Sequence, residues 1–116
     1  MFEKLGVVMV VVSDMDRSVA FYRDVLGLTL RYQTPYWSEL DIGGVKLGLH
    51  PAGNNLAVDP RTGISFGFYV TGIDDVLAGI VFRGGEIAHR SEEEFGTLVY
   101  VRDPDGYNIQ ICQVKH

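Results

Sequence analysis

The chain repeats itself. Displaced by 58 residues, half of its 116, the sequence lays Val12 on Val70, Asp16 on Asp74, Ala20 on Ala78 and Gly27 on Gly85. Ser13 meets Thr71, Met15 meets Ile73 and Val19 meets Leu77. These positions read as a strand end, a helix start, a helix face and a helix stop, which is what two copies of one supersecondary unit share. Each copy has the pattern strand–helix–strand–strand–strand. One helix over one face of a small sheet buries little surface alone, so each copy needs a second. The predicted class is α+β, two tandem βαβββ modules in a single domain over 1–116. Module one covers about 1–51, a linker about 52–62 and module two about 63–116.

Hydrophobic periodicity places the elements. Residues 5–12 are rich in β-branched Val and read as a buried strand. Ser13 or Asp14 caps the next helix, where Met15, Val19, Tyr22 and Leu26 recur at helical spacing, Phe21 and Val25 widen the stripe, and Gly27 is the stop. Strands are predicted near 28–33, 36–42 and 45–50, with a tight turn at Gly43-Gly44. The second copy offers a strand over 64–70 and a helix within 71–85, with Ile73, Leu77 and Ile80 on one face. Strands near 86–90, 97–102 and 107–114 complete it. Asp103-Pro104-Asp105-Gly106 has the residue order of a type I turn.

Composition excludes several function classes. The formal net charge is −5, which opposes nucleic-acid binding and attraction to acidic membranes. The longest apolar run, Val7 to Val12, is too short to span a bilayer. The first residues lack the basic-then-apolar pattern of a secretory signal. Cys112 is the sole cysteine, so no intrachain disulfide forms and a cytoplasmic location is expected.

Strand alternation sorts the side chains onto two faces. One face carries Val8, Val10, Val12, Leu47, Leu49, Phe66, Phe68, Val70, Val99, Val101, Ile109 and Ile111. It is uniformly apolar and is expected beneath the helices. The other face is mixed, with Val7, Met9, Val11, Lys46, Gly48, His50, Ser65, Gly67, Tyr69, Leu98, Tyr100, Arg102, Asn108, Gln110 and Cys112. Trp37 and Glu39 join it if Leu40 and Ile42 face the core. Aromatic walls, small residues and a few polar groups describe a ligand cavity; a solvated sheet face or a dimer interface is the alternative. His89 and His116 read as loop and tail residues, and Glu92 to Glu94 as a solvated loop.

Three stretches carry a resemblance. "VVVSDMDRSVAFYRDVLGL" holds Asp14, Ser18, Phe21-Tyr22 and Leu26-Gly27; "DIGGVKLGLH" follows; "VYVRDPDGYNIQI" comes last. Together they resemble the first strand and helix, the first-module hairpin and the final hairpin of the vicinal oxygen chelate superfamily. Its members include glyoxalase I, extradiol dioxygenases and the bleomycin and fosfomycin resistance proteins. The resemblance implies a glyoxalase-like fold, with curled mixed sheets around a concave cavity and helices outside. It also implies four metal-ligand positions, usually His, Glu or Gln. Here they are Val7, Gly48, Ser65 and Gln110. Val and Gly have no ligating side chain, Ser is a poor ligand, and Gln offers one neutral oxygen.

The resulting expectation is a metal-free binding protein for a small aromatic or amphipathic molecule, without cofactor. Trp37, Tyr69 and Tyr100 would wall the ligand, His50, Asn108 and Gln110 would hydrogen-bond it, and Glu39 and Arg102 are further candidate contacts. By resemblance the protein would be a homodimer. Two alternatives stay open. One is a lyase, isomerase or dioxygenase with an irregular metal site from His50, Glu39 and Gln110, or with acid–base catalysis by His50 or Glu39. The other is an oligomerisation or interaction module.

Overall fold

The computed structural model describes residues 1–115. The chain forms two compact units that part between Val58 and Asp59. In the first, β1 (Val7–Val12) leads into α1 (Met15–Ala20), followed by β2 (Thr29–Gln33), β3 (Ser38–Ile42) and β4 (Val45–Pro51). The second has β5 (Gly67–Tyr69), α2 (Ile73–Phe82), β6 (Glu86–Glu93), β7 (Gly96–Arg102) and β8 (Asn108–Val114). The sheet orders are β1-β4-β3-β2 and β5-β8-β7-β6. In each, the first strand runs parallel to the last and the other pairings are antiparallel. The two units therefore share one topology, the one the 58-residue repeat predicts. No helix among the described residues is long and apolar enough to cross a membrane.

The helix-covered face of each sheet is the apolar one. In the first unit Val10, Val12, Leu40, Leu47 and Leu49 are buried with Val19, Phe21 and Tyr22 of the helical segment. In the second, Val99, Val101, Ile109 and Ile111 are buried with Ile73, Leu77 and Ile80. Fully burying one such side chain contributes about 1.5–3 kcal/mol, and a one-residue slip would turn the whole set outward. Phe66, Phe68 and Val70 face the same way but stay half-buried.

Several predicted elements differ in detail. The first helix is α-helical only to Ala20 and continues as a π-helical turn, Phe21–Val25. Leu26 N donates to Phe21 O at 3.1 Å, five residues back. The wider turn buries Phe21 and Tyr22, neighbours in sequence, with their rings edge to face at 5.1 Å. The strand predicted over 64–70 is three residues long. The strand near 86–90 instead runs to Glu93, so Glu92 and Glu93 lie in β6 rather than in a loop. Glu92 is held there by Arg90 Nε (3.0 Å) and Thr97 Oγ1 (2.7 Å). His89 is likewise a residue of β6, not of a loop. His116 lies outside the described residues.

The helix starts diverge between copies. Asp14 caps α1, its Oδ1 accepting from Arg17 N at 3.1 Å. The corresponding position in the second unit is Gly72, at φ 66°, with no side chain to cap α2. Gln113 of β8 substitutes, its Oε1 accepting from Ile73 N at 2.8 Å. Replacing either Asp14 or Gln113 by Ala is expected to lower stability by about 1 kcal/mol, read as a shift in the urea midpoint at unchanged slope.

Candidate functional site

The helix-free face of the first unit carries a connected group of side chains. Register sets one row across the sheet: Tyr32 of β2 lies opposite Glu39 of β3, Glu39 opposite Gly48 of β4, and Gly48 opposite Met9 of β1. Trp37 immediately precedes β3, and Lys46 and His50 flank Gly48 on β4.

Trp37 lies over Gly48. A Cβ at position 48 would collide with the Cη2 and Cζ2 atoms of its indole. The indole is held in place: its Nε1 donates to Glu39 Oε1 at 3.0 Å, and Tyr32 Oη donates to the same oxygen at 3.1 Å. Glu39 Oε2 faces the Lys46 ammonium at 3.9 Å. The indole N–H, with help from Tyr32 and Lys46 and against partial desolvation, holds the Glu39 carboxyl below the usual carboxylate range. Partial desolvation, then the Glu39 hydrogen bond, pushes the Tyr32 phenol up. His50 stands edge-on to Trp37, with ring centroids 6.3 Å apart. Its Nδ1 is 2.7 Å from the Pro51 carbonyl oxygen. A carbonyl only accepts, so in the neutral ring Nδ1 carries the proton and Nε2 presents its lone pair.

The second unit has the corresponding row. His89 of β6 lies opposite Tyr100 of β7, Tyr100 opposite Gln110 of β8, and Gln110 opposite Gly67 of β5. The rings of His89 and Tyr100 are 6.1 Å apart and tilted by 31°. Gln110 Nε2 donates to Ser65 Oγ at 2.8 Å, so two residues singled out by resemblance do meet. Gly67 is required here, because a Cβ would lie 2.6 Å from Gln110 Cβ. Cys112 Sγ is 3.9 Å from Gln110 Oε1, and burial pushes its thiol up, away from the nucleophilic thiolate. Arg102 and Asn108 are register partners two residues along, and both are exposed. Tyr69 is 83% exposed.

Each unit thus gathers part of the predicted set. Trp37, Glu39 and His50 share the first face, and Tyr100, Arg102, Asn108 and Gln110 the second. The hollow between α2 and β6, about 550 Å³ and lined by Leu77, Val81, Phe82 and Ile87, involves none of them. Sequence reading missed Tyr32 and His89. Both follow a break in register, between Leu30 and Tyr32 in β2 and between Ile87 and His89 in β6. Such a bulge adds one residue to a strand and re-aims the next side chain. It recurs at the same place in both copies.

The chain is similar to known proteins over most of its length. A lactoylglutathione lyase of Haemophilus influenzae is 32% identical over 118 aligned residues, covering 90% of this chain and 87% of that protein. An integron cassette protein from the mobile metagenome of Vibrio cholerae superposes with a TM-score of 0.75 at 25% identity, over 99% of this chain and 98% of that one. A glyoxalase-related enzyme of Fulvimarina pelagi reaches a TM-score of 0.80 at 20% identity, covering 97% and 88%. With residues 4–111 matching the family as a whole, the chain belongs to the Glyoxalase/Bleomycin resistance protein/Dioxygenase superfamily.

Proposed function

We propose that this member of the superfamily binds a small aromatic or amphipathic molecule without using a metal. The observation that carries the reading is the indole of Trp37 over Gly48, in space that a metal-ligating side chain at 48 would need. Val7, the other ligand position of the first unit, has no donor atom. In the second unit Ser65 and Gln110 engage each other through a neutral hydroxyl and a neutral amide. A divalent transition ion asks for imidazole, thiolate or carboxylate in defined geometry. These four residues do not fit one.

On the face of the first unit the proposed ligand contacts are Trp37, Glu39 and His50. The second unit, taken by itself, offers Tyr69, Tyr100, Arg102, Asn108 and Gln110 on its own face. A cytoplasmic homodimer is the proposed working form. A thermal-shift screen of aromatic metabolites and antibiotics tests the binding role. A specific ligand raises the melting temperature with concentration, and Trp37→Ala or Tyr100→Ala abolishes that rise.

One observation favours an enzyme instead: a relative 32% identical is a lactoylglutathione lyase. Its test is turnover of lactoylglutathione with and without added divalent ions, together with metal analysis of protein purified without chelator. Metal-dependent turnover lost in His50→Ala would replace the binding reading.

A further inference from the structure

The hydrogen-bond inventory of the first face is lopsided. Its indole N–H and phenol O–H are both spent on one oxygen, Glu39 Oε1. The acceptors are not spent. Among the described residues Glu39 Oε2 faces only the Lys46 ammonium, at 3.9 Å, beyond hydrogen-bond distance. In the neutral ring His50 Nε2 keeps its lone pair, because Nδ1 is the nitrogen that faces the Pro51 carbonyl. Trp37, whose face attracts a cation, immediately precedes the strand that carries Glu39 and lies over Gly48 of the strand that carries His50. The neighbouring charges Arg31 and Asp41 satisfy each other at 3.0 Å. Lys46 is a counter-charge with 58% of its side chain exposed. A flexible, strongly hydrated ammonium is readily exchanged for a planar donor that can make two parallel bonds.

From this pattern we propose that the first face selects a planar organic cation, an amidinium, guanidinium or protonated N-heteroaromatic. The cation lies on Trp37 and directs its N–H groups to Glu39 Oε2 and His50 Nε2. The inference rests on the binding role proposed above and adds the sign and shape of the ligand. Glu39 has two separate tasks in it. Oε1 holds the indole over Gly48, and Oε2 receives the ligand.

Trp37 is the only tryptophan of the chain, so its emission reports the site directly. Three probes of nearly equal shape differ in charge: benzamidine, benzamide and benzoate. Titration is followed by Trp37 quenching and by calorimetry. Benzamidine is expected to bind saturably, at least tenfold tighter than benzamide or benzoate. Glu39→Gln keeps an oxygen for the indole N–H but removes the charge. It should weaken benzamidine about tenfold and leave benzamide unchanged. Lys46→Met removes the competing cation and should tighten benzamidine several-fold; this variant alters only an exposed side chain, so its fold is not at risk. Preference for benzoate or benzamide, or indifference to both variants, overturns the cation selectivity while leaving a Trp37-dependent binding site in place. No saturable response to any probe also overturns it, whereas the binding role itself is decided by the ligand screen.

Discussion

Gly96→Ala is expected to destabilise the second unit by about 3 kcal/mol, the combined scale of backbone strain and overpacking. Gly96 starts β7 at φ 148°, a conformation that L side chains rarely adopt, and faces Val114 of β8 in register. A Cβ there would run into the carbonyl oxygen of Gln113. It would also lie 2.9 Å from the carbonyl carbon and 3.0 Å from Val114 Cα. All three are backbone atoms, so no rotamer change relieves the overlap, and β7 and β8 would have to separate at this end. The same end carries Gln113, whose side chain caps α2, so the damage should spread to the helix. Equilibrium urea unfolding measures the loss, and a thermal melt should show a drop on the order of 10 °C. Gly6→Ala is the control, since nothing lies within 4 Å of a Cβ at that position. A loss below about 1 kcal/mol at Gly96 would mean that the β6–β7 turn yields instead of the sheet.

Gly48→His has the second-largest expected effect and bears directly on function. It places an imidazole donor at the position that the resemblance matches to a ligand of the family's metal enzymes. The indole of Trp37 already fills that space, so the substitution must drive the ring out and break its hydrogen bond to Glu39. Overpacking of this kind costs about 1–3 kcal/mol. Because the obstacle is the far end of one side chain, the cost should largely disappear when Gly48→His is made in a Trp37→Ala background. A double-mutant cycle isolates that coupling. Emission of the sole tryptophan should shift to the red in the single variant as the ring enters solvent. An equal cost in both backgrounds would show that the backbone, rather than the indole, closes the position.

Much of this architecture is legible in the residues. The 58-residue repeat, the alternation of Val8-Val10-Val12 with Val7-Met9-Val11, and the Gly43-Gly44 turn are all local signals, and the sheets obey them. Gly43 and Gly44 both have positive φ, 57° and 86°, as a two-residue hairpin turn requires. The Asp103 turn also holds: Gly106 N donates to Asp103 O at 3.0 Å, and the Asp103 carboxylate accepts from the Asp105 and Tyr107 amides. What escaped the pattern is what breaks the period. A bulge that adds a single residue, Arg31 in β2 and Ala88 in β6, shifts the alternation over too few residues to be read from the pattern around Tyr32 and His89. So His89 read as loop and Tyr32 as an unremarkable strand residue. The π-helical turn escaped because a stripe containing Phe21, Tyr22, Val25 and Leu26 fits an α-helix equally well.

By itself the sequence determined the class, the duplicated topology and the two faces of each sheet, because burial of apolar side chains at periods of 2 and 3.6 is read from neighbours along the chain. Only the tertiary structure decided that Trp37 occupies the space above Gly48, that Glu39 divides its two oxygens, and that Gln113 caps a helix 40 residues away. Those choices depend on cross-strand register and on which donors reach which acceptors. Both arise from packing between residues distant in the chain, which no local periodicity records.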